Sequence, residues 1–441
     1  MLKGKLSAEE LFGIAYRSFA KIQKAKPLQE PQRNREPVIP LVHCLMSGLA
    51  VFSLKYPSLL QFENSRWEEN NRHNLKTLFG VEYAPSDTQL RERLDEVDPI
   101  DLRKPYKEIF SRLQRGKFLE SYQYLGGYLL SIDGTGYFSS SDIHCENCCE
   151  KEHRNGTKTY YHQMLGAAIV HPDHKIVIPF APEPIIKQDG IKKNDCERHA
   201  SKRFLEHFRR EHPHLKVIVV EDGLSSNEPH IKTLKDLGFS FILGIKPGDH
   251  TFLFDWIERQ DYTEYEITDE EGTVHQFRFI NDAPLNEKNF ECKINFVEYS
   301  EIRKSRKTQH FSWATDITVT QENVFKIMRG GRARWRIENE TFNTLKNRGY
   351  QFEHNFGHGY RYLSTVFAML MVLAFLIDQT QALCCSFFKK AAAYKRTKMR
   401  LWESLRTAFD FFLIDSWQAL FHFIGEAPKK ETAIRLSWNT S

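Results

Sequence analysis

A chain of 441 residues is long enough for two to four domains with a sizeable core. With 41% hydrophobic and 27% charged residues its composition is that of an ordinary soluble protein. The formal charge of +5 is too mild to define a polyanion binder, so the placement of charge matters more than its sum.

The chain opens Met1-Leu-Lys-Gly-Lys and runs into an amphipathic helix over 7–24 (Leu11, Ile14, Ala15, Phe19), which is not the apolar core of a secretory signal. A Pro-, Gln- and Arg-rich linker is expected over 26–40. A helical block over 41–60, interrupted by Pro57, follows it. Asn74 to Gly80 ends in glycine, and Pro85-Ser86-Asp87-Thr88-Gln89 starts a capped helix. Helix, turn and capped helix is the outline of a helix-turn-helix, with Gln89, Arg91 and Arg93 able to face DNA; it is equally the outline of any helical hairpin. A basic helix over 102–119 leads into the first strand.

Tyr128 to Ile132 reads as a buried strand that ends at Asp133, with Gly134 and Gly136 after it. The polar turn that follows holds His144, Cys145, Cys148, Cys149 and His153, with His162 in reach. It is either a tetrahedral zinc set, built from Cys145, Cys148, Cys149 and His153, or a reduced polar hairpin. Strands over 159–170 and 175–180 complete a meander, and a helix from Asn194 to Phe208 covers it. Leu215 to Glu221 repeats the design of the first strand and ends at Asp222, a helix begins at Ser225 to His230, and a strand spans 239–245. Carboxylates at such strand ends face the crevice where open α/β sheets place their sites.

From Thr251 to Glu301 the pattern alternates as a β-rich insertion, and Gln309 to Asp316 returns the chain to the core. Eight acids against one Arg over 255–271 should lie away from any phosphate backbone. Arg303 to Arg348 carries eleven Lys or Arg against four acids, and a basic stripe beside carboxylates suits a polyanion. Gly330-Gly331 should break the preceding helix. A new helix then places Arg334, Glu338, Phe342 and Leu345 or Lys346 near one face, and Gly349 stops it. His354 and His358 lie in a glycine-rich turn, either as metal or phosphate contacts or as residues that only satisfy the turn. The apolar run Val366 to Ile377 is shorter than the roughly 20 residues that span a bilayer and reads as a buried helix, with Trp402 and Trp417 as core beyond it.

Asp133 with its flanking glycines, the Val219 to Gly223 run and the Arg334-Trp335-Arg336-Ile337-Glu338 helix, in that order, resemble the DDE transposases of bacterial insertion sequences. The third motif is similar to the Tyr-Arg-Glu-Lys signature of those with a β-rich insertion. Gly331 stands at the Tyr position, and one extra residue separates Glu338 from Lys346. The resemblance implies an α/β fold: an RNase H-like mixed sheet with a β-rich insertion, flanked by helical N- and C-terminal regions. Its divisions are 1–115 (helical, a candidate DNA-binding region), 116–250 with 305–350 (catalytic), 251–304 (insertion) and 351–441 (helical). It further implies Asp133, Asp222 and Glu338 as catalytic residues holding Mg²⁺ or Mn²⁺, with Glu340 as a rival for the third. Arg334, Trp335, Arg336, Lys346 and Arg348 would contact DNA. Partners would be the element ends and target DNA, with a homodimer in the synaptic complex, a cytoplasmic location and no membrane. The rival readings are a nuclease that cuts without joining and an inactive DNA-binding relic.

Overall fold

The computed structural model describes residues 6–25, 39–187, 197–304 and 307–426. The linker over 26–40 and the helix start at Asn194 therefore fall largely outside the described residues. Among the described residues twelve strands form one mixed sheet: β1 (Gln123–Tyr124), β2 (Gly127–Ser140), β3 (Cys149–Glu152), β4 (Lys158–His171), β5 (His174–Pro179), β6 (Glu183–Ile185), β7 (Val217–Glu221), β8 (Ser240–Gly244), β9 (Thr263–Thr268), β10 (Val274–Pro284), β11 (Lys293–Ile302) and β12 (Gln309–Thr315). The main path runs β3-β4-β2-β7-β8-β12-β11-β10-β9, with β5 and β6 also on β4 and β1 on β2. Pairs β2–β7 and β7–β8 are parallel, and the others are antiparallel.

The parallel centre follows from composition. Val217-Ile-Val-Val-Glu221 is β-branched and buried on both faces, as a strand sandwiched between helical layers must be. Helix Glu197–Glu211 precedes it and helix Glu228–Asp236 links it to β8. The insertion strands β9, β10 and β11 continue the same sheet through β12. In the turn between β9 and β10, Asp269 accepts from the amides of Glu271 and Thr273 around Gly272.

The helices at the two chain ends pack on one another. Helix Leu41–Ser53 is buried along its whole length and lies against helix Leu363–Cys384. The latter is longer than the apolar run 366–377 suggested, and by length and hydropathy alone it could cross a membrane. Its most apolar window is entirely buried inside the protein, as in the core helix of a globular fold. Trp402 and Trp417 are buried, as expected.

Two details of the helix-turn-helix outline have changed. The capped helix is Asp87–Asp95, and Gln89 closes a capping box with Ser86. Arg93 reaches the Ile39 carbonyl and Arg91 pairs with Asp87, so the three side chains expected to face DNA all have partners within the protein. The last residue, Asp95, accepts the backbone amides of Tyr360, Arg361, Tyr362 and Leu363 at 2.8–3.0 Å, capping the buried helix.

Candidate active site

Asp133 is not at a strand tip as its glycines suggested. It lies inside β2, which runs on to Ser140 with β4 as its neighbour. What ends near it is β7: the last β2–β7 pair is Ser131 with Val220, so the continued register sets Asp133 level with Asp222, one residue past β7. Adjacent strands are about 4.8 Å apart, so the two aspartates leave neighbouring positions at the mouth of the parallel centre. Both border a cleft of about 710 Å³.

The glycines serve close approach. A Cβ on Gly134 would meet a Glu197 carboxylate oxygen at 2.2 Å, and one on Gly166, paired with Asp133, would meet the Phe342 ring at 2.7 Å. Asp133 and Gly166 share one face of the sheet and Gly134 looks to the other, so helix Glu197–Glu211 covers one face and the Glu338 segment seats on the opposite one. Likewise Gly330 and Gly331 do not break the preceding helix. They lie inside Val324–Arg332, where a Cβ on Gly331 would meet the Trp313 indole nitrogen at 2.4 Å. The chain then turns through Ala333, and Glu338 falls in a π-helical turn, Ile337–Phe342, that leads into helix Asn343–Asn347. Gly349, at φ +99°, stops it as expected. Such wide turns recur at functional sites.

Arg334 ties this segment to the sheet. Its carbonyl accepts from Ser131 Oγ at 3.1 Å, and its guanidinium donates to Asp133 at 3.0 Å and Glu338 at 2.7 Å. Glu340 pairs with Arg336 instead, which favours Glu338 as the residue associated with Asp133. Burial pushes the Asp133 carboxyl up to about 7; Arg334 opposes this, while the Glu338 and Asp222 charges push the same way. A fourth carboxylate, Glu197, lines the same cleft as the aspartates and is raised by burial and by Asp222 and Glu221. In the sequence it was no more than the start of a covering helix; glycine at 134 was the signal that something approaches there.

Three carboxylates are hard oxygen donors of the class that Mg²⁺ and Mn²⁺ take, so the donor chemistry fits those cations. The guanidinium of Arg334 stands between Asp133 and Glu338 and bonds to both.

The expected DNA contacts divide. Trp335 and Arg348 are exposed, Arg336 bonds the Pro172 carbonyl, and Lys346 pairs with Glu353. Arg303, Arg329, Arg332, Trp335 and Arg336 line a second cleft of about 430 Å³. Much of the basic excess is balanced there by acids from outside the segment: Glu301 takes Arg303 and Arg332, and Asp173 takes Arg329.

The cysteine turn is reassigned. Cys149 is buried with its thiol toward the Ile185 carbonyl, and His153 bonds Thr159, so neither joins Cys145 and Cys148. The residues that do are His162 from β4 and His358 from the turn after Gly349. No known protein family matches this chain, and no curated protein matches it.

Proposed function

We propose that the protein is a DNA transposase with an RNase H-like core, which cuts phosphodiesters at the ends of an insertion element and joins them to target DNA. The observation that carries this reading is the placement of Asp133 level with Asp222 at the mouth of two parallel strands, with Glu338 bound to Asp133 through Arg334. The order β5-β4-β2-β7-β8, an antiparallel meander followed by two parallel strands, supports the RNase H-like assignment.

Asp133, Asp222 and Glu338 would hold Mg²⁺ or Mn²⁺, which supplies Lewis acidity and a deprotonated oxygen nucleophile for in-line displacement. The chain's own contribution is positional. Ser131 and the Gly166–Phe342 contact fix the Glu338 segment against β2. Arg334 neutralises Asp133 and Glu338 and therefore competes with a cation for both; released, it is a donor for a phosphate at the same place. Trp335 and Arg348 are the exposed members of the DNA-contact set.

The test is an incubation of protein and Mg²⁺ or Mn²⁺ with precut element ends and supercoiled target. Covalently joined product that disappears in Asp133→Asn, Asp222→Asn and Glu338→Gln, with DNA binding retained, supports transposition. Joining that survives Glu338→Gln but not Glu340→Gln moves the third carboxylate. Cleavage without joining under every metal condition leaves a nuclease.

A further inference from the structure

We infer a structural zinc site formed by Cys145, Cys148, His162 and His358. The four ligand atoms lie within 4.8 Å of one another. Four of the six separations have the lengths of tetrahedral edges: Cys145 Sγ to Cys148 Sγ is 3.9 Å, each sulfur is 3.4 Å from His162 Nε2, and Cys148 Sγ is 3.3 Å from His358 Nε2. Zinc bonds of about 2.3 Å to sulfur and 2.0–2.1 Å to nitrogen at tetrahedral angles set the edges at about 3.8 Å for S···S and about 3.5 Å for S···N. The observed edges match both.

Hydrogen bonding alone satisfies this cluster poorly. A thiol carries one proton, yet Cys148 Sγ faces a second sulfur, two imidazole nitrogens and the Cys145 amide. Cys148, His162 and His358 are buried, and among the described residues the Nδ1 atoms of both rings have no partner, so the polar contacts found for each imidazole lie on the side that faces the sulfurs. Tyr137 stacks on His162 and Phe138 packs on His358 at 4.3 Å between ring centroids, closing an apolar shell around the donors. A shared cation bound by two thiolates and two neutral imidazoles satisfies all four at once. Mixed sulfur and nitrogen donors select zinc over the hard cations that suit the carboxylates.

The site also joins distant parts of the chain. Cys145 and Cys148 follow the strand that carries Asp133, His162 lies on its antiparallel neighbour, and His358 follows the segment that carries Glu338. Zinc there staples the exit of the Glu338 segment to the sheet, alongside the bonds from Glu146 N–H to the Tyr360 carbonyl and from Asn147 Nδ2 to the Arg361 carbonyl.

The test is metal content of the full chain, purified under reducing conditions without chelator and measured by elemental analysis. About one zinc per chain is expected, retained in Cys149→Ser and His153→Ala and falling to roughly a tenth or less in Cys148→Ser and His358→Asn. If those two variants fail to fold, cobalt exchanged into the native chain gives the readout: the intense absorption of a tetrahedral cobalt thiolate supports the site. Native protein that holds no zinc and takes up neither zinc nor cobalt overturns the inference. So does zinc that depends on Cys149 or His153 while persisting in His162→Asn and His358→Asn.

Discussion

Lys55 is the clearest point at which to test how the chain's two ends are held together. Its side chain is fully buried; the ammonium donates to Asp378 at 2.7 Å and to the Ser53 carbonyl at 3.0 Å, and lies 4.3 Å from the ring centres of both Tyr350 and Trp402. Lys55→Met keeps most of the volume but leaves Asp378 as a buried charge with the Tyr350 hydroxyl as its remaining donor. Breaking a buried pair from one side costs about 3–5 kcal/mol. The surviving Tyr350 bond argues for the lower end and the two lost cation–π contacts for the upper, so about 4 kcal/mol is expected. Urea unfolding followed by tryptophan fluorescence reads it directly, because Trp402 adjoins the substituted atom. Lys55→Met combined with Asp378→Leu removes both charges and should recover all but about 1–2 kcal/mol. A single Lys55→Met variant within about 1 kcal/mol of the parent would show that the pair does not hold the two ends together.

Two further outcomes follow from buried groups nearer the sheet. His212, packed among Phe110, Phe180 and Phe208 with Nε2 unpartnered among the described residues, is lowered to about 4, chiefly by burial; Lys107 and Arg103 act with burial and Glu211 against it. The unfolded chain therefore takes up this proton near pH 6.5 while the native state refuses it until about pH 4. Stability present above that window is lost as pH falls through it, by up to about 3 kcal/mol, and His212→Gln should flatten that part of the pH–stability curve; an unchanged slope refutes the assignment. Gly166→Ala drives a methyl group into the Phe342 ring, at a cost of about 1–3 kcal/mol, and displaces the Glu338 segment from Asp133. The proposed strand-transfer activity should fall far more than stability; full activity would mean that the Phe342 seat does not position Glu338.

Local chemistry was legible in the sequence, and long-range partnership was not. The alternation of β10, the buried run of β7, the stop at Gly349 and the carboxylate order were all readable, because period, β-branching and positive φ are local properties. The glycines at 330 and 331 misled for a physical reason: they accommodate the Trp313 indole, a partner on another element, and helix propensity yields to such packing. The same holds at the thiols. Cys145 and Cys148 were visible by spacing, but the fourth donor, His358, stands 210 residues beyond Cys148, outside any spacing rule. Gln89, Arg91 and Arg93 looked free for DNA because sequence does not show that one closes a cap, one pairs with Asp87 and one reaches back to residue 39.

The bond between Lys55 and Asp378 spans 323 residues, and that separation governs the order in which the molecule can form. Helix Leu41–Ser53 emerges early in synthesis with all of its residues destined for burial, yet the helix that covers it, Leu363–Cys384, comes more than 300 positions later. Contacts so distant in sequence carry a large loop-closure entropy and form late, so the first helices, packed on one another, wait with the face that meets Leu363–Cys384 uncovered while the sheet assembles. A chain cut short before residue 363 keeps every sheet strand and both aspartates but lacks the long helix that packs on Leu41–Ser53. Such a fragment is a substrate for aggregation or proteolysis rather than a competitor for the full-length protein.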